Sequence, residues 1–84
     1  MKAEISHINK DTQTYAAKIE GYTDYVVIEV LEGCSIDKGD IVSHIEFKNM
    51  GKATYSNITK GYKFKVFVQD LCTENYLLKN YKMQ

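Results

Sequence analysis

The stretch Tyr25-Val26-Val27-Ile28-Glu29-Val30-Leu31 decides the fold, because it combines β-branched and aromatic residues with only one charge. Successive side chains of a strand point to opposite faces. Here both faces are apolar, since Tyr25 and Val27 alternate with a row of valine and isoleucine side chains. A strand that is apolar on both faces must be covered on both. The sequence therefore predicts either a central strand over 24–32 or a strand covered by the C-terminal tail.

Shorter runs with the same period-two alternation lie on both sides of this strand, as is typical of half-buried strands. The glycines of the chain stand among turn-forming neighbours and separate the runs. Ile8 breaks the alternation that begins at Ala3 and Ile5, which predicts a bulge or a strand end near His7. The predicted strands are 2–8, 13–20, 24–32, 40–47 and 62–70, with a sixth short strand near 52–58.

This pattern predicts a mainly β protein, folded as one small domain over residues 1–84. A chain of 84 residues is long enough for one modest core. Closing five or six short strands into a barrel removes most of the exposed sheet edges. An SH3-like barrel and a β-sandwich fit the same pattern, so these alternatives stay open at the level of sequence.

Residues 73–84 form a tail that we expect to pack on the barrel. Thr73 could cap a short helix, with Glu74 in its first turn and Lys79 in its last turn. Leu77, Leu78 and Tyr81 would then lie on one apolar stripe. A further strand is the alternative for this segment.

Two short motifs resemble the OB-fold barrels of the cold-shock class. The first is Ile36-Asp37-Lys38-Gly39-Asp40-Ile41-Val42, which is similar to the turn that enters their fourth strand. The second is Gly51-Lys52-Ala53 followed by Asn57-Ile58, which is similar to the close of those domains. The resemblance covers residues 2–58 and implies an OB-like barrel. The aromatic nucleic-acid motifs of that family are matched in kind only by Tyr15 and Tyr25, so no binding site is carried over.

Charge is balanced in total but not along the chain. All eleven basic residues are lysines, and eleven acids balance them. Residues 1–47 have a net charge of −5 and residues 48–84 have +5. The segment 48–65 holds five lysines and no acid. If the fold separates the two halves, this segment becomes a basic face; if it interleaves them, the charges neutralise one another.

Several classes of function lack support in the sequence. No apolar run approaches the ~20 residues of a membrane span, and no signal-like segment begins the chain, so we expect a cytoplasmic protein without a membrane partner. Cys34 and Cys72 are expected to be free thiols, because they form no metal-ligand pattern and a reducing compartment is the default. His7 and His44 belong to no catalytic motif. We therefore expect no enzyme activity, no cofactor and no metal site.

Binding has more support than catalysis. Lysines with exposed aromatic rings are the ingredients of single-strand recognition, in which cations attract phosphates and rings stack on bases. The leading hypothesis is a non-enzymatic module that binds single-stranded DNA or RNA. Its candidate residues are Lys52, Tyr55, Lys60, Lys63, Lys65 and Phe67.

The alternative hypothesis is a protein–protein or homodimerisation module. Tyrosine is favoured at interface hot spots because its ring buries area while its hydroxyl stays bonded. The candidate interface residues are Tyr22, Tyr25 and Val27, with addition of a strand to a free sheet edge as the simplest mode.

Overall fold

The computed structural model describes residues 1–31 and 33–83. Six strands are followed by one short helix. The strands are β1 (Lys2–Asn9), β2 (Thr14–Ile19), β3 (Tyr25–Val30), β4 (Ile41–Ser43), β5 (Gly51–Asn57) and β6 (Tyr62–Cys72), and the helix is α1 (Glu74–Asn80).

The strands close into an antiparallel barrel in the order β1-β2-β3-β6-β5-β4. β1, β2 and β3 form a meander, and the chain then returns so that β4 lies beside β1, which is the Greek-key arrangement. The β5–β6 hairpin fills the gap between β4 and β3. The predicted small β-barrel with a short C-terminal helix is therefore confirmed, including the sixth strand near 52–58.

The barrel interior is filled by the inward-facing side chains that the alternation predicts. Ile5, Ile28 and Val66 are fully buried, and Phe64 and Val68 lie beside them in the same cluster. The predicted bulge in β1 is also confirmed. The register passes from Ile5 opposite Ala17 to His7 opposite Ala16, which leaves Ser6 as the extra residue.

A second apolar cluster lies outside the barrel, between β2–β3 and the C-terminal segment. Leu77 of α1 and Met83 cover Ala16, Tyr25 and Val27. This cover explains why β3 is apolar on both faces. Thr73 caps α1 as predicted, because its side chain accepts a hydrogen bond from the backbone N–H of Tyr76. Leu78 departs from the predicted stripe, since it is exposed on the outer side of the helix.

The fourth strand is much shorter than the predicted 40–47. The strand covers Ile41–Ser43, and His44 adds two backbone hydrogen bonds with Met1, at 3.0 and 3.1 Å, before the chain leaves the sheet. Ile45 then points into solvent while Phe47 turns into the core. The predicted extension of this strand to residue 47 is therefore wrong beyond Ser43.

The connection that precedes β4 is fixed by a polar network. Asn57 donates from Nδ2 to Oδ2 of Asp40 at 3.0 Å, and the backbone N–H of Asp37 donates to the same oxygen at 3.1 Å. Nζ of Lys60 lies 3.0 Å from that oxygen and 2.6 Å from Oδ2 of Asp37. Burial would raise the pKa of Asp40, but these hydrogen bonds and the Lys60 charge outweigh it and lower that pKa.

Candidate functional site

The outward side chains of the β5–β6 hairpin form a surface that we call the basic hairpin face. Outward and inward residues alternate along both strands, so lysines face solvent while Phe64 and Val66 face the core. The basic hairpin face consists of Lys52, Thr54, Ser56, Lys63, Lys65 and Phe67.

Strand register brings these side chains together in cross-strand pairs. Lys63 lies opposite Ser56, and Lys65 lies opposite Thr54. Directly paired side chains of neighbouring strands have Cβ atoms about 4.5–5.5 Å apart. A lysine and a hydroxyl group therefore stand side by side in two successive rows of the sheet.

Phe67 supplies an exposed aromatic ring at the end of the same face. It is 41% exposed and lies opposite Lys52 on β5. On its other side it is paired with Glu29 of β3, whose carboxylate accepts a hydrogen bond from Gln69 at 3.3 Å. The ring thus lies between a lysine and an acid that is already hydrogen-bonded.

An open depression adjoins the basic hairpin face on the β4 side. Its volume is about 370 Å³, and it is lined by Met1, Ser43, His44, Ile45, Thr54 and Ser56. Ser43 lies directly opposite Ser56, so the two hydroxyl groups continue the row that begins at Lys63. This row was not predicted from the sequence, although Thr54 and Ser56 share the parity of Lys52 in the fifth strand.

The His44 ring forms a fixed wall of this depression. Its centroid lies 5.0 Å from that of Tyr55, and its Nδ1 lies 2.9 Å from the carbonyl oxygen and 3.1 Å from the backbone nitrogen of Glu46. Ile45 beside it is 91% exposed. The depression thus combines hydroxyl groups with one unusually exposed aliphatic side chain.

Two residues predicted for this surface lie elsewhere. Tyr55 is fully buried, where its ring contacts Phe47 and Phe64, so it takes no part in the surface. Its parity already differs from that of Lys52, because the two are three residues apart on one strand. Lys60 sits in the β5–β6 turn and is bound to Asp37 and Asp40, so its charge is neutralised locally.

The predicted protein interface is not assembled as an open surface. Val27 is fully buried and Tyr25 is 8% exposed, because α1 covers both. Only Tyr22, at 52% exposure, faces solvent. The closed barrel also offers no free sheet edge to which a partner strand could be added among the described residues.

The charge asymmetry of the chain is partly preserved in space. Within residues 1–31 and 33–83, Lys52 and Lys63 form no ion pair, whereas Lys60 forms two. The turn of the hairpin is therefore neutralised by acids of the first half, while Lys52 and Lys63 on the strands present cations. The hypothesis of a basic face applies to the hairpin strands and not to the whole segment 48–65.

A serine, a histidine and a glutamate meet where α1 crosses the β1 bulge. Ser6 Oγ lies 2.7 Å from His7 Nδ1, and His7 Nε2 lies 3.8 Å from Oε2 of Glu74. The second distance exceeds a hydrogen bond, and Ser6 also donates to the carbonyl oxygen of Ala16 at 3.3 Å. These contacts join the helix to the barrel.

Across residues 1–31 and 33–83, no three His, Cys, Asp or Glu side chains are grouped to hold a metal ion. No helix in the described part of the chain has the length and apolar character needed to cross a bilayer. Cys34 and Cys72 are free thiols.

Comparison with protein-family models, with curated proteins and with solved structures finds no match for this chain. The chemistry of its own surface therefore carries the functional inference.

Proposed function

We propose that this protein is a non-enzymatic module that binds single-stranded nucleic acid through the basic hairpin face. The observation that carries the proposal is the exposure of Phe67 beside Lys52. An exposed ring supplies a stacking platform for a base, and the neighbouring ammonium group attracts the phosphate that follows it. Lys63 extends the positive charge along β6.

We further propose that the barrel is an OB-like domain with one additional strand. OB-fold barrels have five strands and bind oligonucleotides on a sheet face. Support comes from the two motifs that resemble that class. Asp40 of the first motif accepts a hydrogen bond from Asn57 of the second, and the Ile58 N–H donates to the Ile41 carbonyl oxygen at 2.7 Å. The motifs thus act as one structural unit at the start of β4.

Replacing Phe67 tests the stacking platform directly. Stacking on an aromatic side chain is worth about 1–3 kcal/mol per base, so Phe67→Ala should weaken binding of a labelled single-stranded oligonucleotide about 5- to 150-fold. Fluorescence anisotropy at low salt measures this change. Phe67 projects from the outer face, so the thermal midpoint should change little.

Tyr76→Ala provides the matched control, because Tyr76 is 49% exposed but lies on α1 and not on the basic hairpin face. It should leave the affinity unchanged. Equal affinities of the Phe67→Ala variant and the unaltered protein would contradict the stacking role. Absence of any binding at low salt would reject the proposed function.

A further inference from the structure

Three hydroxyl groups lie beside the lysines of the basic hairpin face. Ser43, Thr54 and Ser56 make no side-chain hydrogen bond to any residue in 1–31 or 33–83. In contrast, the hydroxyl groups of Thr14 and Thr59 are engaged, the first with Thr12 and the second with the backbone N–H of Ile41. The three hydroxyl groups all line one depression, so their donors and acceptors are available to a ligand.

These hydroxyl groups are arranged in register with the lysines. One row runs Ser43–Ser56–Lys63 across three strands, and the next row pairs Thr54 with Lys65. Neighbouring strands lie about 4.7–4.9 Å apart, so Ser43 and Lys63 are separated by two such steps. A ligand that lies across the sheet therefore meets a cation at one end of the row and hydroxyl groups at the other.

The chemistry of the row favours a sugar with a free hydroxyl group next to a phosphate. A phosphate only accepts hydrogen bonds, and the lysines satisfy that need. A serine hydroxyl both donates and accepts, and so does the 2′-hydroxyl of ribose. Deoxyribose lacks this group and cannot form the pair.

We infer that the depression lined by Ser43, Thr54 and Ser56 recognises ribose 2′-hydroxyl groups, so that the basic hairpin face selects RNA over DNA. This inference rests on the proposed function and specifies its ligand. The lysines and Phe67 bind either nucleic acid, while the hydroxyl row adds hydrogen bonds that only RNA completes. Ile45 on the rim offers an apolar surface against which the sugar or base packs.

The test compares three labelled single strands of identical base sequence. They are RNA, DNA with uracil in place of thymine, and 2′-O-methyl RNA, which retains the oxygen but lacks the hydroxyl proton. We expect RNA to bind about tenfold more tightly than uracil-containing DNA, as two net hydrogen bonds would give. The 2′-O-methyl strand should bind like DNA, because it cannot donate and its methyl group crowds the serines.

The double variant Ser43→Ala with Ser56→Ala locates the discrimination. It should reduce RNA affinity to the level of DNA and leave DNA affinity unchanged. Thr54→Val is a second variant with the same expected direction, and it retains a β-branched side chain on the strand. Thr23→Ala is the matched control, because Thr23 is an exposed residue of the β2–β3 turn and should alter neither affinity.

The outcomes separate the two proposals. Equal binding of RNA and DNA would overturn the ribose inference while the proposed function stands. An equal loss of both affinities in the serine variant would overturn it as well. If none of the three strands binds at low salt, the proposed function fails and this inference fails with it.

Discussion

At the scale of single residues, Tyr55 is the side chain whose chemistry fits its surroundings least. It is fully buried, and its hydroxyl has no hydrogen-bond partner among the described residues. Burial raises the pKa of that hydroxyl. An unsatisfied buried polar group costs about 1–3 kcal/mol, and phenylalanine would fill nearly the same volume.

Tyr55→Phe is therefore expected to increase the free energy of unfolding by about 1 kcal/mol. Chemical denaturation followed by circular dichroism measures it. Tyr62→Phe is the contrasting variant, because the Tyr62 hydroxyl donates to the carbonyl oxygen of Ser35. Its removal should lower the free energy of unfolding. A destabilised Tyr55→Phe protein would show that the hydroxyl is satisfied after all.

Asp40, in contrast, is a buried carboxylate whose hydrogen-bond and ion-pair partners are present. Its lowered pKa means that the folded state binds the proton less tightly than the unfolded state. The stabilisation is thus fully present above the ordinary aspartate pKa of about 3.9 and is lost as the pH falls through the lowered value.

Asp40→Asn should accordingly destabilise the protein by about 1.5–3 kcal/mol at pH 7, as expected for lost hydrogen bonds to a charged group. The difference from the unaltered protein should shrink below pH 4. Denaturant titrations at pH 7 and pH 3 measure both values, with Asp11→Asn in an exposed turn as the control. A difference that is constant with pH would contradict the assigned ionisation.

At the scale of elements, α1 acts as the outer cover of β3. Leu77 is fully buried on one side of a helix of only seven residues. Helices this short are marginal in isolation, so the packing of Leu77 and Met83 holds the segment. Tyr81 adds a hydrogen bond from its hydroxyl to Oδ2 of Asp70 at 3.0 Å.

Leu77→Ala is expected to cost about 2–5 kcal/mol, the range for a buried leucine. Leu78→Ala is the matched control, since Leu78 is 48% exposed and its truncation should change stability by less than about 0.5 kcal/mol. Thermal unfolding distinguishes them. Equal effects of the two variants would contradict the observed orientation of the helix.

Alkaline pH should weaken the packing of the C-terminal segment on the barrel. Burial, together with the hydrogen bond to Asp70, raises the pKa of Tyr81 to about 12. Because the folded pKa is raised, this stabilisation is present below pH 10 and declines as the pH rises from about 10 to 12. Tyr81→Phe should lack this decline, which ultraviolet absorbance titration of tyrosinate with circular dichroism would detect.

At the scale of the whole molecule, the parts predicted from sequence are those that depend on local alternation. The inward row of β6 and the outward row that includes Lys63 and Phe67 follow directly from period two. The bulge at Ser6 is also visible in the local sequence, because the parity of the apolar residues changes between Ile5 and Ile8. The helix start at Thr73 is also predictable locally, because threonine is a preferred N-cap residue.

The placements that could not be predicted depend on contacts between distant segments. Lys60 is neutralised by acids about twenty residues earlier in the chain, and no local pattern reveals that approach. The burial of Tyr25 and Val27 could not be predicted without knowing where the C-terminal segment packs. Tyr55 is different, because its spacing of three residues from Lys52 already places the two side chains on opposite faces of the strand.

The most direct test of the central claim is the salt dependence of single-strand binding for a charge-reversed hairpin. Each phosphate contact contributes about 0.7 to the slope of log affinity against log salt for single strands. Lys52→Glu with Lys63→Glu should reduce the slope by about 1.4, and the affinity at low salt should fall at least about tenfold. Lys10→Glu with Lys79→Glu has the same net charge but alters lysines outside the hairpin.

We expect the hairpin variant to bind more weakly and with a smaller salt slope, while the charge-matched variant keeps most of its affinity and of its slope. Equal losses in the two variants would mean that net charge alone drives association, and the assignment of a binding face would be contradicted.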